Sequence, residues 1–280
     1  YVRELGLNET QDRGLISSIR QSVASDSLPL HIKDTRLTPR EYLRKDGTSQ
    51  YQRIDSELFT SERVLAAENK ILDAASRAVI PASTVDVFEL AAQKRRAELA
   101  VQGHTLPAGQ EAMARAFATS DKLLVVGIGA AGAGKTSSTR LAVDAIEASG
   151  NRVIGMAPTA AAAAVMRAEM RINADTVDKI LTDWESGKAS VDVRPGDVLL
   201  VDEAGMIATP KMEKIITLAQ ERGALVRALG DYRQLSAVGS GGALRLVDRE
   251  IGAVHLDELF RFKNPEEAAA TLALREPPLV

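Results

Sequence analysis

The stretch GIGAAGAGKTSS, residues 127–138, sets four glycines and three alanines directly after an apolar run, and follows them with a lysine and a threonine. Glycine loses more backbone freedom on folding than any other residue, so four at one corner indicate a main chain that must curl tightly around something. From Gly129 the stretch fits the spacing G-x-x-x-x-G-K-[ST], with Ala130, Ala131, Gly132 and Ala133 at the variable positions and then Gly134, Lys135, Thr136 and Ser137. Small residues there let backbone N–H groups turn inward on phosphate oxygens, and a helix starting at the lysine adds its positive end. Lys135 is placed to reach the β- and γ-phosphates of ATP, and Thr136 to offer its hydroxyl to Mg2+.

The flanking sequence supplies the context this loop needs. KLLVVGI before it is a short, β-branched apolar run, and STRLAVDAIEAS after it has helical spacing ended by Gly150. NRVIGMAP predicts the next strand, TAAAAAVMRAEM an alanine-rich helix, and DVLLVD, LVRALGD and AVHLDE further strands, with helices near Lys211 to Arg222 and Gly242 to Glu250. This alternation predicts an α/β fold, a parallel sheet with helices on both faces and its ligands at the carboxyl ends of the strands. Residues 105–280 are expected to form that nucleotide-binding domain. Residues 1–104 are expected to form a smaller, mainly helical region. Helices are predicted there after Thr60 or Ser61 and over Val85 to Val101, while residues 1–56 carry turn signals and no long period.

A nucleotide site of this kind needs an acid at the end of a second strand. DVLLVDEAGM provides Asp202, placed to hold Mg2+ through water, and Glu203, placed to orient and deprotonate the attacking water. Alone, an Asp-Glu pair is an ordinary solvated strand end; beside the glycine corner it becomes the expected partner.

Composition narrows the remaining classes. The chain has no cysteine, which excludes disulfides and thiolate metal sites, and its three histidines, His31, His104 and His255, fall outside any zinc-ligand spacing. No apolar run approaches the roughly 18 residues that cross a bilayer, and the N-terminus lacks a signal-peptide plan, so the expected location is cytoplasmic. The net charge of −3 neither favours nor excludes DNA, which needs only a local basic groove. The start at Tyr1 and the end at EPPLV suggest a piece of a longer protein.

GDYRQL, residues 230–235, begins where the strand LVRAL ends, and Gln234 is placed to touch a γ-phosphate. Here the sequence resembles the superfamily 1 helicases, in particular their RecD-like branch, whose G-D-x-x-Q-L element is the sensor motif. LPAGQEAMARAF then places Gln110 where that family keeps a glutamine recognising adenine, and VIGMAPTAAAA resembles its motif Ia, which implies that Thr159 meets single-stranded DNA. LDELFRF resembles motif IV and implies that Arg261 is a cation near the γ-phosphate. The runs LSAVGSGGALRLV, LFRFKNPEEAAATLALRE and FTSERVLAAENKILDAAS are similar to the motor region of conjugative relaxase-helicases of the TraA and TraI type. The resemblance implies a RecA-like P-loop NTPase fold, ATP and Mg2+ as ligands, and single-stranded DNA as partner. It also implies a second motor domain and, in the parent chain, a relaxase domain. Nothing in the sequence matches the histidine triad and tyrosines of a relaxase, and Tyr232 stands where many RecD-like relatives have proline.

Other roles stay open for several of these residues. Gln110 is compatible with an ordinary helix N-terminus, Thr159 with a helix cap, and Arg261 with a surface ion pair. Lys94, Arg95 and Arg96 read as a solvated helix face, and Trp184 as a packing residue. Two further functional classes remain: a DNA-independent P-loop switch, and a helicase-derived module that only binds single strands. Without a second motor domain and its arginine finger, worth about 10³- to 10⁵-fold in rate, slow hydrolysis and no unwinding are expected of residues 1–280 alone.

Overall fold

The computed structural model describes residues 27–30, 58–130, 132–188, 192–232 and 242–256. The chain divides into two compact units, Tyr1–Ala66 and Ala67–Val280. In the first, strands β1 (Leu28–Leu30) and β2 (Leu58–Thr60) pair antiparallel, with Leu28 opposite Thr60 and Leu30 opposite Leu58. Ser61 then opens helix α1 (Glu62–Ser76), its hydroxyl accepting from the Val64 N–H at 3.3 Å, as a serine before an apolar helical period should; from Ala67 onward the helix belongs to the second unit.

The second unit is built on a six-stranded parallel sheet. Its strands are β3 (Leu124–Gly129), β4 (Val153–Ala157), β5 (Asn173–Thr176), β6 (Val198–Val201), β7 (Leu225–Gly230) and β8 (Val254–Leu256). They lie in the order β5-β4-β6-β7-β3-β8. The near-continuous apolar composition of β3, β4, β6 and β7 follows from burial on both faces.

Alternate residues of these strands feed two separate cores. Val126, Ile128, Met156, Val201, Val226 and Ala228 point to one core, shared with α1 and with helices α6 (Val177–Glu185), α7 (Thr209–Arg222) and α8 (Ala243–Glu250). Val153, Ala157, Leu200, Leu225 and Leu229 point to the other. That core is completed by helices α2 (Val85–Val101), α3 (Ala108–Thr119), α4 (Lys135–Ala148) and α5 (Ala160–Met170). The expected layering, helices on both faces of a parallel sheet, is therefore present.

Two features of this unit go beyond the pattern of the sequence. The β5 strand and α6 helix were not foreseen, because Asn-Ala-Asp-Thr carries no apolar alternation and is held as an edge strand by β4. Arg227, in the middle of β7, is fully buried with no carboxylate paired to it among the described residues. Its guanidinium instead donates to the carbonyls of Phe117 at 2.6 Å, Val226 at 2.9 Å, Lys122 at 3.0 Å and Ser120 at 3.3 Å. It so gathers the negative carbonyl end of α3 against the sheet.

Candidate nucleotide-binding site

The phosphate loop is a left-handed turn at the mouth of β3. Gly132 and Gly134 have φ of +84° and +85°, values that favour glycine over residues with a β-carbon. Ala130 and Ala133 are buried, and the Ala133 N–H closes the loop on the Ala130 carbonyl at 3.2 Å. A β-carbon on Gly129 would stand 3.1 Å from Leu256 Cβ and 3.2 Å from Lys135 Cγ, so any larger residue there would make its neighbours shift by a few tenths of an ångström.

Helix α4 begins at Lys135 without any side-chain cap, its N-cap being Gly134. Its first N–H groups are left for an anion, as a phosphate cradle requires. Thr136 is exposed at this mouth and Ser137 is half-buried. Ser138 and Thr139 turn inward, their hydroxyls donating to the Lys135 carbonyl at 2.8 and 2.7 Å. Ala131 lies outside the described residues.

Two strands away, β6 delivers the acid pair. The Asp202 N–H donates to the Met156 carbonyl at 2.9 Å, which fixes the corner against β4. The Glu203 N–H donates to Asp202 Oδ1 at 2.8 Å, and Glu203 itself is held at φ +49°. Such a left-handed non-glycine residue stores strain of order 1–3 kcal/mol, a cost common at functional corners. Burial pushes the Asp202 carboxyl above the ordinary carboxylate range. The Glu203 N–H opposes that shift, the Glu203 carboxylate adds to it, and the nearby Lys135 ammonium lowers it again. Asp202 is thus a partly desolvated carboxyl within the electrostatic reach of the phosphate-loop lysine.

Between the two lies the end of β7. A β-carbon on Gly230 would meet the backbone nitrogens of Gly205 and Ala204 at 2.8 and 3.1 Å, so the acid corner packs directly onto the start of GDYRQL. Asp231 is buried there, while Gln234 and Arg261 lie outside the described residues. Gln110, near the start of α3, is 7% exposed. Its amide lies where a β-carbon on Gly134 would fall, and it forms no hydrogen bond among the described residues.

The remaining candidates take the quieter of their two readings in part. Thr159 caps α5, its hydroxyl accepting from the Ala162 N–H at 3.1 Å, yet it stays exposed at the carboxyl end of β4. Trp184 packs against the core and donates to Glu221 at 3.2 Å. Arg96 pairs with Glu111 and Arg95 with Glu98, the solvated pairs expected of that helix face. One cluster escaped the sequence entirely: Asp248 on α8 accepts from Tyr232 Oη and faces His255 Nε2, both at 2.8 Å.

Among the described residues no group of three His, Cys, Asp or Glu side chains converges on a metal. The two residues that the sequence offers to Mg2+ are the half-buried Asp202 and the exposed Thr136, and Mg2+ keeps most of its water and shares phosphate oxygens, so it needs few protein ligands. Among the same residues no helix is long and apolar enough to cross a membrane.

The AAA domain model matches residues 105–277, more than half of the chain. The chain belongs to the AAA domain family. Over 182 residues, 65% of its length, this AAA domain chain is 29% identical to a Sinorhizobium fredii protein described as "Probable conjugal transfer protein TraA". It is 32% identical over 148 residues, half of its length, to the multifunctional conjugation protein TraI of Escherichia coli. It is also 32% identical over 151 residues, 52% of its length, to the ATP-dependent RecD2 DNA helicase of Deinococcus radiodurans. The aligned stretches span only 16%, 8% and 21% of those three relatives. The family resemblance seen in the motifs is thus matched by the relatives found.

Proposed function

We propose that this chain is the ATP-binding half of a motor that moves on single-stranded DNA, working in conjugative DNA transfer in the cytoplasm. The observation that carries this reading is the convergence of the three motifs on one edge of the sheet. The phosphate loop, the Gly230-Asp231 corner and the Asp202-Glu203 pair leave the carboxyl ends of the neighbouring strands β3, β7 and β6. The names of the relatives, two conjugation proteins and a DNA helicase, point to the use made of it.

In this reading the loop N–H groups and Lys135 hold the β- and γ-phosphates of ATP, and Gln110 recognises adenine. Thr136 and Asp202 hold Mg2+, which supplies charge neutralisation for the leaving phosphate oxygens. Glu203 orients a water molecule and accepts its proton as the water oxygen bonds to the γ-phosphorus. The bond from that phosphorus to the β,γ-bridging oxygen breaks, and ADP takes up the negative charge. Gln234 and Arg261 complete the γ-phosphate contacts from the sequence that follows β7 and β8. Thr159, at the end of β4, meets the DNA backbone. A second motor domain supplies the rest of the DNA track.

The test is a titration of fluorescent ATP and of single-stranded DNA, with turnover measured in the presence and absence of DNA. Lys135→Ala is expected to weaken nucleotide binding and turnover at least about 100-fold, as expected for a residue on the transferred phosphate. Retained activity in that variant would move the site elsewhere. Turnover indifferent to DNA in a protein carrying both motor domains would favour the DNA-independent switch.

A further inference from the structure

Building on the nucleotide-site reading, we propose that Asp248 is a positioning residue for the phosphate site, acting through Tyr232 on one side and His255 on the other. The sheet order places β3, which carries the phosphate loop, between β7 and β8. β7 and β8 are therefore not neighbours, and no ladder of backbone hydrogen bonds links them. Asp248 makes the link instead, from above β3.

Its two oxygens are divided between the flanking strands. Oδ2 accepts from Tyr232 Oη, two residues beyond the last residue of β7, and Oδ1 faces Nε2 of His255 in β8, each at 2.8 Å. A carboxylate has no hydrogen to give, so Nε2 carries the proton and donates. The parity of the strands explains why these side chains meet. Ile128 pairs with both Gly230 and His255, and Ile128 faces the core that α8 completes. Side chains at even steps from that row, His255 and Tyr232 among them, emerge on the α8 side. Leu244 and Val247, buried on α8, seat the helix so that Asp248 reaches both.

Each end of this clasp borders a phosphate contact. His255 is followed by Leu256, which pairs with Gly129 and abuts it. Tyr232 follows Asp231, which packs on the acid corner through Gly205, and precedes Gln234 by two residues of chain. Asp248 so holds the strand end that packs on the acid corner in register with the strand that abuts the phosphate loop at Gly129. It touches no phosphate itself. A positioning role of this kind affects the γ-phosphate more than the nucleoside or the β-phosphate, and that difference is what an experiment can read.

The experiment compares binding of ADP and of a nonhydrolysable ATP analogue, with Mg2+, to the wild-type chain, Tyr232→Phe, Asp248→Ala and Asp248→Asn. Turnover is followed wherever it is measurable. Tyr232→Phe removes one oxygen from an otherwise intact protein, and Asp248→Asn keeps an acceptor for the tyrosine. Tyr232→Phe and Asp248→Ala are each expected to lower the preference for the triphosphate over ADP about tenfold, the loss typical of a hydrogen bond to a charged group. ADP affinity stays within about twofold. Asp248→Asn recovers most of the preference, and a double variant carrying Tyr232→Phe and Asp248→Ala is no worse than Asp248→Ala alone, because both changes break one connection. A wild-type preference retained in Tyr232→Phe and Asp248→Ala, even with lowered melting temperatures, would overturn the proposal and leave a purely structural tie. Failure of the wild-type chain to bind ADP at all would instead overturn the nucleotide-site reading beneath it.

Discussion

Gly230 and Gly205 lie so close that a β-carbon on Gly230 would stand 2.8 Å from the Gly205 backbone nitrogen. The atom it would strike belongs to the main chain of the acid corner and cannot rotate away. Gly230→Ala is therefore expected to push the Asp202-Glu203 corner off the end of β7, at a cost of about 1–3 kcal/mol for overpacking. A shift of about 1 Å in a catalytic group can cost about 100-fold in rate. The expected outcome is a folded protein, shown by an unchanged far-UV circular dichroism spectrum, that still binds nucleotide but turns it over about 100-fold more slowly. Normal turnover would mean that the corner does not need this contact.

The contact between Arg227 and the Phe117 carbonyl supports a second expectation. Burial pulls the Arg227 guanidinium down to about 9, so it remains charged at neutral pH, and its partners among the described residues are carbonyl oxygens. Arg227→Met fills much of the volume but strips the donors from the carbonyls of Phe117, Lys122 and Ser120. Buried acceptors left without partners make the expected loss about 3 kcal/mol, visible as a fall of several degrees in melting temperature. Arg227→Lys, which keeps a charge and up to three donors, should lose roughly half as much. An unchanged melting temperature for Arg227→Met would show that water replaces the guanidinium.

These two residues also show what the sequence could and could not display. β3, β4, β6 and β7 are legible because burial on both faces demands unbroken apolar runs, and the phosphate loop because its backbone geometry demands glycine at fixed spacing. Asp202 and Glu203 are legible as a strand-end pair once the loop is seen, and the structure puts them at the carboxyl end of β6, two strands from the loop in one sheet. Arg227 was legible only as an arginine within an apolar strand, because its partners are backbone carbonyls brought in by α3, more than a hundred positions away along the chain. β5 was hidden because its polar sequence takes strand form only through pairing with β4. Asp248 and His255 were hidden for a similar reason: each belongs to a different element, and only the order of strands in the sheet brings them to Tyr232.

The half-buried Asp202 carboxyl gives stability a definite dependence on pH. Its folded-state affinity for a proton is raised above the ordinary value of 3.8, chiefly by burial. The folded chain therefore holds this proton where the unfolded chain has lost it, and its contribution to stability falls as pH rises from about 3.8 through the folded value. Asp202→Asn removes the titration. Without nucleotide or Mg2+, the variant should unfold at a higher temperature than wild type at pH 7 and lose the difference toward pH 4, when thermal unfolding is followed across that range. Adding Mg-ATP should reverse the order, because the ligand stabilises wild type by binding its folded state and has no anchoring carboxylate in the variant. A wild-type response of Asp202→Asn to Mg-ATP would remove Asp202 from the metal site.

Gln110 presents the same exchange of stability for binding in a neutral group. Its amide is buried against Gly134 without a hydrogen bond among the described residues, and an unsatisfied buried polar group costs about 1–3 kcal/mol. Gln110→Met conserves most of the volume and removes the unpaired donors and acceptor, so the nucleotide-free protein should become more stable by about 1 kcal/mol. If the amide recognises adenine, the same change removes the reason to prefer ATP over GTP. The preference should fall about tenfold, while affinity for inorganic triphosphate, which has no base, stays unchanged. Competition of ATP, GTP and triphosphate against a fluorescent nucleotide measures all three. Equal losses for all of them would show that Gln110 supports the shape of the phosphate loop at Gly134 and does not read the base.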